Sequence, residues 1–332
     1  MKTERVDWID CAKGIGMILV IISHTFTGAN STEQFLRGIL FSFHMPLFFI
    51  LSCMTFRFSG DDAEFVRKTR CAFRHLCVPA LFIYLVNIII EICISYQFID
   101  WKWFWIGKLK ILVYSSGTDV HTGGTVIPAF GMMWFTVVLF TGRSLFDYLH
   151  LKLKPAWFAA AVFLLTLAGV LIGERKPLLL SFDIAMSVML FFYFGDRLKR
   201  TVLRKSTAAC ITAFALWLST FLLIYYGSHD YLELAARRYP VFPICYFTAV
   251  SGTMFIIYLC RLAEDLSWIR PVIYIGRYSL YLYGVHAMDY LYKFAWNRTN
   301  NGLINGMIRV CLDYIAAMVL IKAVQFCHCR KI

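Results

Sequence analysis

Ten apolar segments, most of them long enough to cross a bilayer, dominate this chain of 332 residues. They run approximately over 9–27, 36–56, 76–95, 128–142, 156–173, 178–195, 207–227, 241–260, 272–292 and 303–325. A spanning helix needs about 20 mostly apolar residues. Within hydrocarbon each backbone N–H and C=O must find a partner, which a helix supplies within its own segment. The pattern therefore predicts an all-α polytopic membrane protein, a bundle of about ten transmembrane helices. Composition excludes the main alternatives. Hydrophobic residues make up 60% of the chain and charged residues only 16%, against about 25% charged in soluble domains. That rules out an ordinary soluble globule, a disordered chain and a fibrous repeat.

The fourth segment is short and contains glycine. It follows a polar stretch from Ser115 to Gly124, so a re-entrant or partly exposed element is expected there. Trp101–Trp105 is rich in aromatics and suits an interfacial helix. No internal repeat and no soluble domain stand out, and residues 1–332 read as a single transmembrane domain. The first apolar run lacks a small-residue cleavage site and leads directly into more spans, so it is expected to remain in place.

The formal net charge is +13. In a soluble protein this would raise nucleic acid as a partner. In a membrane chain the cations report topology instead. With a cytoplasmic N-terminus and ten spans, 19 of the 33 Lys and Arg residues lie in inner loops and ends, and 10 lie outside. The positive-inside rule then predicts a multi-pass protein of the inner or plasma membrane with both termini cytoplasmic. Nucleic acid is not expected as a partner, and a homodimer is compatible with the sequence.

The eleven cysteines form no disulfide framework. Cys53, Cys93, Cys210, Cys245 and Cys311 sit in apolar runs, where cysteine packs as a small hydrophobe. Cys327 and Cys329 flank His328, a spacing too tight for a zinc site. No metal is expected.

Ionisable groups inside a bilayer are costly and mark function by default. Here they are Asp10, Lys13, His24, His44, Glu91, Asp183, His286, Asp289, Arg309, Asp313 and Lys322. Lys13 and His24 are eleven residues apart. On a helix that places them within roughly 20° of one face and about 16 Å apart along the axis. Asp10 lies one turn before Lys13 and can pair with it. His44, His24 and His286 all fall in the outer halves of their spans. Pro46 should kink the second span by freeing a carbonyl at residue 42. Glu91 and Asp183 read as pairing partners within the bundle. Arg70 and Arg74 are one turn apart in a basic loop, suited to anchoring on lipid phosphates or to gripping a nucleotide-like cofactor.

These residues make the chain similar to the membrane acyltransferase 3 family. Its hallmark is a basic residue, ten residues, then His, seen here as Lys13 and His24. The likeness continues in Phe41-x-Phe43-His44-Met45-Pro46-Leu47-Phe48-Phe49, in Arg74-x-x-x-x-Pro79 and in Met133-Trp134-Phe135. It extends through Phe192-Tyr193-Phe194-Gly195 and Ile275-Gly276-x-Tyr278-Ser279-Leu280-x-x-Tyr283-x-x-His286. The Phe-His-Met-Pro variant resembles the fucose 4-O-acetylase-like branch. The chain departs from the family at Ser52-Cys53, where Ser-Gly is common, and in having Lys rather than Arg at position 13. No hydrolase-like domain follows the spans, so a stand-alone enzyme is expected.

The resemblance implies a membrane O-acyltransferase moving an acyl group, expected to be acetyl, from cytoplasmic acetyl-CoA to a sugar hydroxyl on a glycan or glycolipid. It implies His24 as general base, with Asp10 and His286 as further catalytic residues. Lys13, Arg70 and Arg74 would bind the acyl-CoA, and His44, Tyr283 and Trp134 the acceptor. The competing reading is a proton-coupled secondary transporter or exporter of a small solute, which intramembrane acids and histidines would also suit.

Overall fold

The computed structural model describes residues 6–26, 28, 30–199 and 204–329. The terminal cations Lys2, Arg5, Arg330 and Lys331, and the side chains around His328, lie outside the described residues. The chain is almost wholly helical. In order, the helices are α1 (Asp7–Ser23), α2 (Ser31–Phe41), α3 (His44–Met54), α4 (Asp62–Ala72), α5 (Val78–Ser95) and α6 (Trp101–Tyr114). There follow α7 (Trp134–Lys152), α8 (Pro155–Gly173), α9 (Phe182–Ser187), α10 (Met189–Lys199) and α11 (Thr207–Ser228). The last are α12 (Ile244–Ala263), α13 (Arg270–Arg277), α14 (Ser279–His286), α15 (Lys293–Trp296) and α16 (Gly302–Cys329).

Helix starts follow from polar caps. Asn30 accepts from the Glu33 N–H at 2.8 Å, and Asp61 accepts from the Glu64 N–H at 2.7 Å. Glu64 reaches back to the Gly60 N–H at 2.8 Å, closing a capping box. Between α4 and α5 the chain makes a π turn over Phe73–Cys77, with the Val78 N–H donating to the Phe73 carbonyl. Pro79 explains it. Its ring nitrogen cannot donate to residue 75, and its bulk displaces that carbonyl, so the helix loosens by one residue instead of ending. Pro46 acts similarly: helix geometry lapses at Ser42–Phe43 between α2 and α3.

The polar stretch after α6 forms a hairpin. Val120–Thr122 pairs antiparallel with Thr125–Ile127. Gly123 and Gly124, both at positive φ (54° and 78°), make the tight turn that only glycine adopts without strain. Trp101, Trp103 and Trp105 on α6 are all exposed, as an interfacial helix requires.

Among the described residues, five helices are long and apolar enough to cross a membrane: Ser31–Met54, Asp62–Phe98, Pro155–Gly173, Thr207–Ser228 and Ile244–Ala263. A sixth arises if the pair Leu179–Ser187 and Met189–Lys199, bent by 49°, is one span. These match six of the ten apolar segments. The other four differ for visible reasons. The 17 residues of α1 reach roughly 26 Å at 1.5 Å per residue and carry Asp7, Asp10 and Lys13. The helix at 128–142 starts only at Trp134 and runs on into charged residues. The segment 272–292 is broken into α13, α14 and a 3₁₀ turn. The 28-residue α16 carries Arg309, Asp313 and Lys322.

The chain divides into two compact units. The first comprises residues up to Leu51, with Val202–Leu232 and Pro240–Ile332. In it, α1 packs closely on α13, and α11 on α12. The approach of α1 to α13 depends on glycine. A Cβ on Gly276 would fall onto the Asp10 carbonyl, and one on Gly14 onto the Val272 carbonyl. Gly276→Ala is therefore expected to destabilise by at least the roughly 1–3 kcal/mol typical of overpacking, because backbone cannot yield as a side chain can. A detergent-solubilised variant melting with the wild type would contradict this.

The second unit comprises Ser52–Thr201 with Glu233–Tyr239. Its interior holds a buried ion pair: Arg237 Nε donates to Asp183 Oδ2 at 2.6 Å, and its Nη1 to Ser116 Oγ at 3.0 Å. Glu91 pairs with Lys108 at 2.5 Å. Asp183 and Glu91 thus serve as pairing partners within the fold.

Candidate active site

His24 occupies the C-cap of α1, which runs unbroken from Asp7, so the Lys13–His24 spacing is carried by continuous helix. The end of α1 is fixed to the start of α16, since the Thr25 hydroxyl donates to the Gly302 carbonyl at 2.8 Å. This joint brings α1 to the helix that carries Arg309 and Asp313. His24 is exposed, and its ring centroid lies 5.7 Å from that of His286 and 6.0 Å from that of Phe41.

His44 is buried at the first position of α3, with Nδ1 2.7 Å from the Leu40 carbonyl. That contact places the proton on Nδ1. Its ring meets Phe41 edge-on at 4.8 Å. Phe41 is thus the aromatic surface shared by His24 and His44. The Arg37 guanidinium lies 4.8 Å above the same ring. The three histidines therefore do assemble in the first unit, His24 directly with His286 and His44 through Phe41.

Behind His286 stands a charged network that gives the site its direction. His286 is 1% exposed, and its Nδ1 lies 2.8 Å from Asp289 Oδ2 and 3.1 Å from Asp313 Oδ2. Two carboxylates at Nδ1 fix the proton on that nitrogen. The opposite nitrogen, Nε2, is buried and has no hydrogen-bond partner among the described residues. Arg309 grips Asp289 with two bonds, Nε to Oδ2 at 2.5 Å and Nη2 to Oδ1 at 2.8 Å, a fork that suits a carboxylate. It also stacks on Trp296 at 4.2 Å. The Tyr292 hydroxyl donates to Asp313 Oδ1 at 2.6 Å.

His286, Asp289 and Asp313 also present three ligand atoms within 4.8 Å of one another, a spacing a metal ion could use. Asp289 is already held by Arg309 and Asp313 by Tyr292, so the same atoms read as a support for His286.

Asp10 is placed differently from the catalytic role expected of it. It lies 14 residues before His24 on one straight helix, roughly 21 Å away along the axis. There it meets Lys13 Nζ at 3.7 Å and Arg277 Nε at 3.5 Å. It organises cations at the start of α1 and does not touch His24. Tyr283 is buried on α14, one turn before His286. Arg70, Arg74 and Trp134 belong to the second unit. Arg70 and Arg74 are exposed, the first on α4 and the second inside the π turn, so they are not spaced by a regular helical turn. Trp134 begins α7 and is buried against Gly117.

The sequence supplied Asp289, Arg309 and Asp313 only as members of the intramembrane ionisable set. The spacing of Asp289 three residues after His286 was a usable signal for a helical pair. Tyr292 and Arg37 carried none, the first because tyrosine is common in such spans, the second because it reads as a loop cation.

Residues 6–323 match the family described as an acyltransferase domain. No curated protein matches the chain significantly. The match covers nearly the whole length, from the start of α1 to the last turns of α16. It therefore takes in the Lys13–His24 helix, the histidine cluster and the Asp289–Arg309–Asp313 network together, and the chain belongs to this family of membrane acyltransferases.

Proposed function

We propose that the protein is an O-acetyltransferase that moves acetyl from acetyl-CoA to a sugar hydroxyl in a glycan or glycolipid, in the manner of the fucose 4-O-acetylase-like branch. The observation that carries this reading is the His24–His286 pair. One imidazole is accessible, and its neighbour is held from behind by two carboxylates.

His24 acts as general base. It takes the proton of the acceptor hydroxyl as the oxygen attacks the thioester carbonyl, and general-base help of this kind is worth about 10²–10⁴-fold in rate. The C–S bond then breaks, and the proton on His24 passes to the departing thiolate. His286 is held by Asp289 and Asp313 and positions its ring against His24. His44 and Tyr283 hold the acceptor. Lys13, oriented by Asp10, serves the donor's thioester end.

The proposal includes the ten-span arrangement, with α1, α7, the α13–α14 pair and α16 crossing beside the six longer apolar elements. Both termini then face the cytoplasm of a cell-membrane protein, where acetyl-CoA is made. The test is transfer of isotope-labelled acetyl from acetyl-CoA by membranes containing the protein. The label is expected in an alkali-labile ester on envelope saccharide. Its absence there, with labelled CoA bound but never discharged, would overturn the reaction.

A further inference from the structure

We propose that the second unit contains a phosphoryl-binding site formed by Arg143 and Lys199 beside the ring of Phe56. The site is separate from the residues assigned above. Its ligand source rests on the acetyl-CoA reading, but the geometry does not.

Arg143 projects from the middle of α7, and its guanidinium stacks 4.2 Å above the Phe56 ring. A ring satisfies only the face of a guanidinium. The five N–H donors lie in its plane and need acceptors. Among the described residues, none accepts a hydrogen bond from Arg143, and none forms an ion pair with it. Its nearest acid in sequence is Asp147, one turn on along α7. That carboxylate is instead taken by Ser59, from the N–H at 2.9 Å and from the hydroxyl at 2.7 Å. None of the Arg143 nitrogens is sealed from solvent, so its open donors can be reached by a ligand that supplies oxygens.

The rest of the site is already organised. The loop carrying Phe56 is held from three sides. Lys199 Nζ donates to the Phe56 carbonyl. Lys68 Nζ donates to the carbonyls of Arg57 and Phe58 at 2.8 and 2.9 Å. Ser59 is tied to Asp147 as described. Lys68 also lies 5.7 Å from the Phe56 ring, and Glu64 balances it at 3.1 Å. Lys68 therefore spends its donors on the loop. Lys199, exposed near the end of α10, keeps donors to spare beyond its single bond to Phe56. The Arg143 and Lys199 charges both act on Cys53, which places them around the same few atoms, with the buried carboxylate of Asp196 beside them.

A planar fork paired with a point-charge ammonium suits a tetrahedral oxyanion, above all a phosphoryl group. Two sources carry that chemistry: the phosphates of coenzyme A and the headgroup of an anionic lipid. The experiment uses the full chain in nanodiscs, as wild type, Arg143→Gln, Arg143→Lys and Lys199→Ala. The probes are coenzyme A, pantetheine, inorganic pyrophosphate, and discs of phosphatidylglycerol against phosphatidylcholine.

Arg143→Gln is expected to weaken coenzyme A and pyrophosphate binding about tenfold to hundredfold, as loss of a charge-assisted bond does. Lys199→Ala, at an exposed position, is expected to weaken both several-fold, and pantetheine should bind all forms alike. If instead only the extra thermal stability in phosphatidylglycerol discs is lost in Arg143→Gln, the site stands and its source is lipid. Equal responses of wild type, Arg143→Gln and Lys199→Ala to every phosphate-bearing probe would overturn the proposal. Such a result beside intact acetyl transfer would leave the enzyme reading standing, and lost phosphoryl binding without any acetyl transfer would do the reverse.

Discussion

His24→Ala is expected to lower acetyl transfer by about 10²–10⁴-fold while leaving the protein folded and able to bind coenzyme A. The expectation of intact folding comes from its place. His24 caps α1 instead of filling its interior, and it is exposed. The joint that fixes this helix end is made by the neighbouring Thr25 to Gly302, which the substitution leaves alone. The loss should therefore appear in kcat, with little change in the donor's apparent affinity. Lys13→Ala should show the opposite emphasis, since Lys13 lies about 16 Å down the same helix from His24. Rates of labelled acetyl transfer at saturating and limiting acetyl-CoA separate the two. A His24→Ala protein with the wild-type kcat would remove His24 from the chemistry.

The second large effect is expected at Arg309. Arg309→Met keeps much of the side-chain volume against Trp296 but strips two hydrogen bonds from Asp289. Asp289 is 2% exposed and Asp313 fully buried, so two carboxylates would face one imidazole without a guanidinium. Breaking a buried pair from one side typically costs about 3–5 kcal/mol, because the remaining charge cannot be solvated. The single variant should denature at markedly lower temperature or denaturant. Adding Asp289→Asn should recover part of the loss, because the stranded charge is gone. Arg309→Lys should fall between, since an ammonium cannot reproduce the two-pronged grip. If Arg309→Met were as stable as wild type, and the double variant no better than the single, the network would carry no net charge coupling.

These two residues differ in how far the sequence revealed them. His24 was legible because an eleven-residue spacing on a helix is fixed by the backbone alone. A distortion at residue 42 was legible from Pro46 for an equally local reason, since the proline ring leaves that carbonyl without its donor. The partners of His286 were not. Asp313 and Arg309 sit on another helix, 27 and 23 residues further along the chain, and nothing local says that they meet His286. Asp10 shows the same limit from the other side. Sequence placed it one turn from Lys13 at the inner end of the helix, but could not say that Arg277 would also claim it.

By itself the sequence determined that this is a helical membrane chain, and it singled out part of the buried ionisable set, among them Asp10, His44, Asp183, His286, Asp289, Arg309 and Asp313. Burial preference and helical period are properties of short stretches and are read directly from them. Tertiary structure decided the rest. It made six of the apolar stretches long regular spans, or span-like pairs, and broke 272–292 into short helices. It set His24 beside His286, backed by Asp289, Arg309, Asp313 and Tyr292. It left the Arg143 guanidinium on Phe56 without an acceptor among the described residues. Each of these outcomes depends on which helices pack together, and a buried charge takes its meaning from the partner that packing brings to it.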